Sequence, residues 1–423
     1  MRKILILGGA NQHLKFVETA KEMGIYTVVT DYLGLEDSPC KKICDEALNY
    51  NITDIESIVK FCKANNINGV VTGFLDPCQI PYAQICERLG LPCTGSLAQF
   101  YNFTNKKTFK ALCRKNGVNV IPDYTEEDAL NGDVEYPVFV KPVDSRGSRG
   151  QSVCYSSEEM PLAIQFAKQE SSNGDILIEK YMGDCDEVQI TYFLINGTIF
   201  LERTVDSNRG SKEFNLQKVV NCSISPSRYT NIYLDKAHGN VCRMIKDLGI
   251  QNGPLFMQGF LKDEEFYFFD PGLRFPGVEF ERIYKKIWGI DIVKLLIEYA
   301  LNGTFPKNVM LPIDGASLQN NVAAVFFPVL KAGTIASIKG LENFRKNPNV
   351  VSCLTRYDVG DTIDWTYNVN QRYAEIDMVS KSVDGLKETI DSFYNQVQVK
   401  DSDNNDMFFD KFKTECLNRY IAE

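Results

Sequence analysis

The segment from Val138 to Gly150 reads VFVKPVDSRGSRG and joins an apolar run to a short polar loop. The run predicts a strand that delivers Lys141 at its end, where the ammonium group would neutralise the α- and β-phosphates of a nucleotide. Glycines let backbone N–H groups approach phosphate oxygens, and serine hydroxyls add further donors. The loop residues expected to make such contacts are Ser145, Gly147, Ser148 and Gly150. The segment therefore predicts a polyphosphate-binding loop, and the alternative is a solvated hairpin with a surface lysine.

A second apolar run, Ile176–Glu179, follows this loop and continues into Lys-Tyr-Met-Gly. An adenine ring needs a hydrophobic slot and backbone groups for its polar edge, and a strand of this kind supplies both. Glu187, a few residues further on, would hold the ribose hydroxyls. Taken alone, the pattern is also that of a common edge strand.

Two aromatic runs, Phe256–Phe260 and Phe266–Asp270, predict a hairpin that places Gln258 beside Asp270. Paired across the hairpin, these two side chains would converge on one Mg²⁺. This ion prefers one or two protein oxygens, with phosphate and water completing its shell. Arg274 would point to the same place and clamp a transferring phosphoryl group.

The first hundred residues alternate strand and helix patterns. Apolar or β-branched runs at 3–7, 26–30 and 69–73 are separated by helical stretches, one of which Asp54 can cap. This rhythm predicts a small parallel sheet with helices on both faces.

Gly8 and Gly9 lie between the first strand and the first helix, and Asp31 closes the second strand. Dinucleotide-binding folds have glycines and an acid in these places, but the Gly-x-Gly-x-x-Gly fingerprint is absent. The main interpretation is that the glycines allow a tight strand-to-helix turn. Dinucleotide binding, or substrate binding at the carboxyl ends of the strands, are the alternatives.

Beyond Gly95 the parallel rhythm gives way to an α+β pattern. Residues 206–225 are polar and have no clear period, so we predict a long loop there. The overlapping segment 203–218 is basic and would meet an anionic substrate or form an ordinary solvated face; its basic residues are Arg203, Arg209, Lys212 and Lys218. After Asn320, short strands and one helix predict a closing α+β portion.

Composition limits the classes of function. The chain has 423 residues, a formal net charge of −9 and a pI of about 5.1. It lacks the broad basic footprint that nucleic acid or an anionic membrane needs. No stretch approaches the ~20 apolar residues that span a bilayer, and the N-terminal run resembles a strand more than a signal peptide. We therefore expect a cytoplasmic protein with neither nucleic acid nor membrane as a partner.

Cysteine and histidine usage narrows the chemistry further. The thirteen cysteines are scattered without a metal-ligand rhythm, and His13 and His238 are the only histidines. Reduced thiols that fill a cytosolic core are the main interpretation. A catalytic triad is disfavoured, because its base would have to be one of two residues.

Taken in order, these elements resemble the ATP-grasp superfamily, nearest to the branch of biotin carboxylase, carbamoyl phosphate synthetase and the carboxylate–amine ligases. The resemblance runs from the N-terminal unit to about residue 305. It implies an α/β and α+β architecture, in which a small parallel domain precedes a two-lobed ATP-grasp fold. The implied parts are an N-terminal domain (1–103), a small lobe with the phosphate loop (104–182), a large lobe with the metal site (183–310) and a closing portion (311–423).

The resemblance also implies roles for individual residues. Lys106 and Lys141 match two lysines that contact ATP, while Gln258 and Asp270 match the metal positions. Arg274 matches the arginine that faces the acyl phosphate. The implied cofactors are ATP and Mg²⁺, with Mn²⁺ as a substitute.

The nucleoside end of the site is implied in the same way. Backbone groups of Glu179 and Met182 would meet adenine, and Glu187 the ribose. Two departures stand out, since the family usually has glutamate at the position of Asp270 and asparagine at that of Gly272. Because the other metal position holds the neutral Gln258, Asp270 is the one anionic protein ligand that remains for the metal.

The predicted function is an ATP-dependent ligase that activates a small-molecule carboxylate as an acyl phosphate and passes it to an amine, or less commonly to a thiol. Lys141 and Arg274 are its predicted catalytic residues. The alternatives are an enzyme that forms carboxyphosphate from bicarbonate, a non-catalytic ATP-binding protein, and a dinucleotide-dependent oxidoreductase. The expected partners are small-molecule substrates, and a homodimer is compatible with the resemblance.

Overall fold

The computed structural model describes residues 1–143, 150–211, 213–214, 216 and 219–420. The chain begins with a parallel sheet of order β3-β2-β1-β4, as the alternating pattern predicted. Asp54 caps the third helix as predicted, because its side chain accepts a hydrogen bond from the Ser57 backbone N–H at 3.1 Å. The strands are β1 (Lys3–Leu7), β2 (Tyr26–Thr30), β3 (Glu46–Leu48) and β4 (Gly69–Val71). The helices are α1 (Leu14–Glu22), α2 (Pro39–Ile43), α3 (Ile55–Asn65) and α4 (Asp76–Leu89).

The two glycines after β1 form a tight turn, which confirms the main interpretation. Gly8 has a φ of +98°, in the region that favours glycine. The Gly9 N–H donates to Asp31 Oδ2 at 2.7 Å, and a Cβ on Gly9 would lie 2.0 Å from the Ser38 Oγ. Asp31 also pairs with Lys41 Nζ at 2.8 Å. Asp31, the acid that a dinucleotide-binding fold would point toward a ribose, is therefore paired with groups of the protein itself.

A four-stranded antiparallel sheet of order β5-β8-β6-β7 carries the predicted Lys141 strand. Gly150, at the end of the predicted phosphate loop, has a φ of +68°, and a Cβ on it would lie 2.7 Å from Pro142 Cγ, so this position requires glycine. The strands are β5 (Asp123–Tyr124), β6 (Val138–Pro142), β7 (Ser152–Cys154) and β8 (Ile176–Lys180). The helices before and around them are α5 (Leu97–Thr104), α6 (Lys106–Lys115), α7 (Glu126–Asn131) and α8 (Met160–Glu170). Ser145, Gly147 and Ser148 lie outside the described residues.

The large sheet has the strand order β13-β12-β9-β10-β11-β14-β19-β17. Its first strands are β9 (Asp186–Ile195), β10 (Thr198–Arg209), β11 (Val220–Ser225), β12 (Gly253–Lys262) and β13 (Glu265–Gly272). The helices of this lobe are α9 (Thr230–Lys236), α10 (His238–Asp247), α11 (Glu281–Trp288) and α12 (Ile292–Asn302). The predicted hairpin is β12–β13, and its register pairs Gln258 with Asp270 as expected.

The prediction of a loop over residues 206–225 was wrong at both ends, because β10 reaches Arg209 and β11 begins at Val220. The polar side chains that made these strands resemble a loop in the sequence have hydrogen-bond partners inside the protein. Asp206 accepts hydrogen bonds from the hydroxyls of Ser227 at 2.5 Å and Tyr420 at 2.7 Å. A polar residue in a covered strand is stable when its hydrogen bonds are made, and the sequence does not reveal those distant partners.

The closing portion extends the large sheet. Its strands are β14 (Val322–Phe326), β15 (Gly333–Thr334), β16 (Ser337–Lys339), β17 (Val350–Thr355), β18 (Thr362–Ile363), β19 (Ala374–Ser380) and β20 (Gln398–Lys400), and its helices are α13 (Leu341–Phe344) and α14 (Val383–Gln396). β14 pairs with β11 and with β19, so the sheet crosses the predicted boundary at 310. None of the helices in the described ranges combines the length and apolar character needed to cross a bilayer.

The N-terminal unit packs directly on the large lobe. A Cβ on Gly69 in β4 would lie 2.6 Å from the carbonyl oxygen of Ala300 in α12. The Phe275 N–H donates to the Gly73 carbonyl at 2.7 Å. The chain segment that leaves β13 is therefore fixed by the N-terminal unit, and this contact positions the residues described next.

Candidate active site between the two lobes

Lys141 lies at the carboxyl end of β6 and is 5% exposed. Its Nζ is 2.5 Å from Glu179 Oε2, while Lys110 Nζ donates to Glu179 Oε1 at 2.6 Å. Burial alone raises the pKa of Glu179, but Lys141 and Lys110 outweigh burial and hold the pKa below its ordinary value. The buried carboxylate thus stays ionised and fixes Lys141 at the predicted phosphate site.

Only a backbone role was predicted for Glu179, and Lys110 was not predicted at all. Lys110 stands four residues after Lys106 in α6, so both lie on one helix face. This four-residue spacing was the signal in the sequence that could have identified Lys110. Glu179 lies on β8, the strand between β5 and β6, where it is opposite Asp123 on one side and Phe139 on the other. The adenine contact of this residue stays a prediction.

Met182 lies just beyond the last backbone hydrogen bond of β8 to its sheet. That bond is made by the preceding residue, Tyr181, whose N–H donates to the Pro137 carbonyl at 3.0 Å. The side chain of Met182 is 5% exposed. It therefore lies where β8 leaves the small lobe for the large one. Its contact with adenine also stays a prediction.

Lys106 opens α6, a helix that Asn105 caps by accepting the Thr108 N–H at 3.0 Å. Lys106 Nζ is 3.9 Å from Asp270 Oδ1, which belongs to β13 of the large lobe. Burial raises the pKa of Asp270, although a third of the side chain (34%) is exposed, and Lys106 partly offsets that rise. Two residues predicted from distant parts of the chain are therefore neighbours.

Gln258 and Asp270 are cross-strand partners on β12 and β13, next to an irregularity between Gln258 and Gly259. Gln258 Nε2 donates to Glu187 Oε1, which turns the other amide atom, Oε1, to the opposite side. Glu187 is 4% exposed and also pairs with Arg209. Its carboxylate thus orients Gln258, an interaction that the sequence analysis did not foresee, and its contact with ribose stays a prediction.

The two lobes meet at Phe269, whose ring centroid is 5.9 Å from Lys141 Nζ. Lys106, Asp76, Arg274 and Lys141 all influence the titration of Asp270, in that order. The predicted lysines, the metal-ligand pair and the arginine therefore form one charged site at the junction of the lobes.

Arg274 is bound by a residue that the sequence analysis missed. Its Nε and Nη2 donate to Asp76 Oδ1 and Oδ2 at 2.5 and 2.6 Å, and its Nη1 donates to the Phe275 carbonyl at 2.9 Å. The guanidinium lies over the Phe256 ring, 4.5 Å from the centroid. Asp76 is the first residue of α4 in the N-terminal unit. The arginine is therefore held rigidly by three separate contacts.

A second charged cluster lies apart from these residues. Lys15 Nζ is 2.8 Å from Glu281 Oε2 and also pairs with Glu279. Arg203 Nη1 is 2.6 Å from Glu202, and Nη2 is 3.3 Å from Glu281. Arg203 is 1% exposed. The interpretation of Arg203 as part of a solvated basic loop was wrong, because the residue is in β10 and its charge is paired in the interior.

The donor set at the junction agrees with a magnesium–nucleotide site. Among the residues that the structure describes, no three His, Cys, Asp or Glu side chains come together to hold a metal. An ion at Asp270 and Gln258 would therefore need phosphate oxygens to complete its shell, as Mg²⁺ commonly does. Lys106 and Lys141 supply positive charge beside it.

Comparison with known proteins agrees with this architecture. Residues 105–307 match the family described as "Carbamoyl-phosphate synthase L chain, ATP binding domain". The mouse mitochondrial methylcrotonoyl-CoA carboxylase subunit alpha is 23% identical over 349 residues, which are 76% of this chain and 47% of that protein. A phosphoribosylamine–glycine ligase from Methanocorpusculum labreanum is 26% identical over 43% of this chain and 44% of its own length. The chain thus spans about half the length of the curated relatives it matches.

Among solved structures, phosphoribosylglycinamide synthetase from Anaerococcus prevotii superposes with a TM-score of 0.74 and 19% identity, over 95% of this chain and 100% of the other. The L-amino acid ligase from Bacillus licheniformis gives a TM-score of 0.74 and 18% identity, over 95% and 99%. The fold and the matched domain agree with the resemblance to the ATP-grasp superfamily drawn from the motifs, and residues 105–307, just under half of the chain, match the ATP-binding domain of the carbamoyl-phosphate synthase large chain.

Proposed function

We propose that this chain is an ATP-dependent ligase that activates a carboxylate as an acyl phosphate and transfers the acyl group to an amine. The observation that carries the proposal is the convergence of Lys106, from the first helix of the small lobe, on Asp270 of the large lobe, 3.9 Å away. Lys141 and Arg274 lie close enough to influence the same carboxylate. Such a site is suited to hold a polyphosphate and a divalent cation between two lobes.

Each predicted residue has a task in this scheme. Lys141 and Lys106 bind phosphate oxygens, and Asp270 with Gln258 Oε1 holds Mg²⁺ or Mn²⁺. Mg-ATP supplies the phosphoryl group. A carboxylate oxygen attacks the γ-phosphorus and the bond to ADP breaks, so that catalysis is mainly positioning and charge stabilisation. Arg274 stabilises the charge that develops on the transferring group.

The second half-reaction needs no protein nucleophile. The amine nitrogen attacks the carbonyl carbon, the bond from this carbon to the phosphate oxygen breaks, and phosphate leaves with the electron pair. This agrees with the state of His13, which is fully buried and whose pKa burial lowers to about 3. A base with so low a pKa would not accept a proton near neutral pH.

The chain's organisation is part of the proposal. We retain the four parts 1–103, 104–182, 183–310 and 311–423, with the large sheet shared across the last boundary. A cytoplasmic location is supported by the thirteen cysteines, all of them described and all in the thiol form. A homodimer and small-molecule substrates are proposed from the relatives.

Three titrations and one turnover assay test the function. Mg-ATP should bind in calorimetric titration, whereas NAD and NADP should not. A screen of carboxylates and amines should then reveal ADP release that requires both. Turnover with bicarbonate and no amine would favour the carboxyphosphate alternative. Binding of Mg-ATP without turnover across the screen would favour the non-catalytic alternative, and a failure of Mg-ATP to bind would overturn the proposal.

A further inference from the structure

A groove runs between α4 and α5, beside the candidate active site. It has a volume of about 1030 Å³. Its walls come from residues spaced one and four apart along each helix, which places them on one face. Its apolar lining includes Ile80 and Pro81 from α4, and Leu97, Ala98 and Tyr101 from α5.

Two of these residues are unusually exposed for their type. Tyr101 is 53% exposed and Leu97 is 37% exposed. Single exposed apolar residues need no explanation, but a connected apolar strip with polar ends is typical of a binding groove. The strip lies between two helices, and its apolar side chains suit a chain of methylene groups.

The inner end of the groove opens on the residues that would act in phosphoryl transfer. Asp76, Lys106 and Asp270 all line it. Asp76 is neutralised by Arg274, and Lys106 faces Asp270. A nucleophile that enters along the groove would therefore reach the acyl phosphate where it forms.

The outer end continues into a second cleft of about 500 Å³. Thr53, Gln84 and Leu97 line both cavities, so the two adjoin and together mark one path along α4. The eleven-residue step from Asp76 to Glu87 along α4 corresponds to about 16 Å at ~1.5 Å per residue. The path is long enough for an extended ligand.

The outer cleft is acidic. It is lined by Asp54, Glu56, Glu87 and Arg88. Arg88 pairs with Glu56, which leaves the formal charges of Asp54 and Glu87 without a cation from this cleft's lining. The described lining therefore offers an apolar middle and a negative outer end, complementary to a methylene chain that ends in a cation.

We propose that this groove is the acceptor site for a linear aliphatic diamine, an inference that rests on the ligase function proposed above. One amine lies at the inner end in its neutral form and attacks the carbonyl carbon of the acyl phosphate. The new C–N bond replaces the C–O bond to phosphate, which leaves with the electron pair, and the nitrogen loses one proton to solvent. The second amine stays protonated beside Glu87.

The test uses three probes with the same eight-carbon chain: octamethylenediamine, octylamine and suberate. Each is titrated calorimetrically into the full chain without nucleotide, at moderate salt so that general attraction to an acidic protein is screened. The diamine should bind roughly tenfold more tightly than octylamine, and suberate should not bind. Equal affinity for the diamine and octylamine would overturn the proposal.

Variants locate the binding. Ala98→Trp fills the groove and should weaken diamine binding by roughly tenfold. Ala111→Trp, on the exposed face of α6, should leave diamine binding unchanged. Glu87→Gln should reduce the preference for the diamine over octylamine, and Glu388→Gln on α14 should leave it unchanged. Diamine binding to Ala98→Trp at wild-type affinity would place the ligand elsewhere and sink the idea.

A parallel titration with Mg-ATP separates this inference from the function on which it rests. Diamine binding without Mg-ATP binding would keep the groove as a diamine site and remove its acceptor role. Mg-ATP binding without diamine binding would overturn the groove as a diamine site and leave the proposed ligase function standing. Melting curves of Ala98→Trp and Glu87→Gln check that each variant is folded.

Discussion

Asp76 and Arg274 form a bidentate ion pair between the N-terminal unit and the large lobe, with Nε–Oδ1 and Nη2–Oδ2 distances of 2.5 and 2.6 Å. Gln79 Nε2 also donates to Asp76 Oδ1, at 2.9 Å. Three of the five N–H groups of Arg274 are thus committed to the protein, and the remaining two can face an anion. A guanidinium fixed in this way keeps its direction when the transferring phosphoryl group arrives.

Asp76→Asn should therefore reduce turnover more than nucleotide affinity. The amide offers one acceptor oxygen in place of a charged pair, so Arg274 loses a charge-assisted contact and its fixed direction. We expect turnover to fall by about ten- to a hundredfold, equivalent to about 1.4–2.8 kcal/mol. Steady-state kinetics and Mg-ATP titration give the two numbers. Asp247→Asn, an exposed aspartate on α10, is the matched control. A parallel loss of nucleotide affinity and turnover would contradict a role limited to Arg274.

Lys141→Ala should weaken Mg-ATP binding more than Lys106→Ala. Lys141 is buried beside the phosphate loop, whereas Lys106 is 22% exposed in its side chain, and charge contacts are stronger where water is excluded. We expect roughly tenfold or greater weakening for Lys141→Ala and about threefold for Lys106→Ala in calorimetric titration. Lys107→Ala, the exposed neighbour, is the control. Wild-type affinity in Lys141→Ala would remove the central assignment.

Asp270→Asn should abolish turnover and leave the fold intact. Asp270 is the single carboxylate of the proposed metal pair, and its loss should cost several kcal/mol of transition-state stabilisation, about a hundredfold or more in rate. Burial raises the pKa of this carboxyl, so a neutral amide does not harm its surroundings in the free protein. The measurements are ADP release and the melting temperature without ligand. Early unfolding of the variant would make Asp270 structural and favour the non-catalytic alternative.

Glu279→Gln should make stability less dependent on pH. Burial, with Glu375 and Glu281 nearby, raises the pKa of Glu279 to about 8 despite Lys15, while an unfolded glutamate has a pKa of about 4.3. The folded state thus binds a proton that the unfolded state has lost. This contribution is complete below pH ~4.3 and disappears as the pH rises through ~8, at up to ~1.4 kcal/mol per pH unit. Denaturant unfolding at pH 6, 7 and 8 should show the wild type losing stability relative to the variant. Parallel curves would mean that Lys15 keeps Glu279 ionised.

The hairpin and the Lys141 strand were predictable because their signals are local. Apolar runs at 138–140 and 256–260 have the period of strands, and the residues that matter stand at the strand ends. The exact pairing was not local in this sense, because the register of the turn alone would set Gln258 opposite Phe269, and the irregularity between Gln258 and Gly259 brings Asp270 opposite it instead. Gly8 and Gly9 were also interpreted correctly, since a tight turn depends on nearby residues.

Contacts between distant parts of the chain were not predictable. Glu179 with Lys110, Asp76 with Arg274, and Arg203 with Glu281 join residues 69, 198 and 78 positions apart. In each case a buried charge finds its partner through packing, and burial makes an unpaired charge costly. A polar residue in the sequence has the same appearance whether it is solvated or paired inside, which is why residues 206–225 resembled a loop.

The sequence by itself thus determined the N-terminal parallel unit, the Lys141 strand, the hairpin and the resemblance to the ATP-grasp superfamily, and it pointed to most of the residues at the junction of the lobes. Periodicity and end residues are local properties, and a single chain carries them. The tertiary structure alone decided which charges are paired, that Asp76 holds Arg274, and that α4 and α5 leave a groove between them. These depend on distances between elements, because electrostatic and packing energies are set by separation in space and not by separation along the chain.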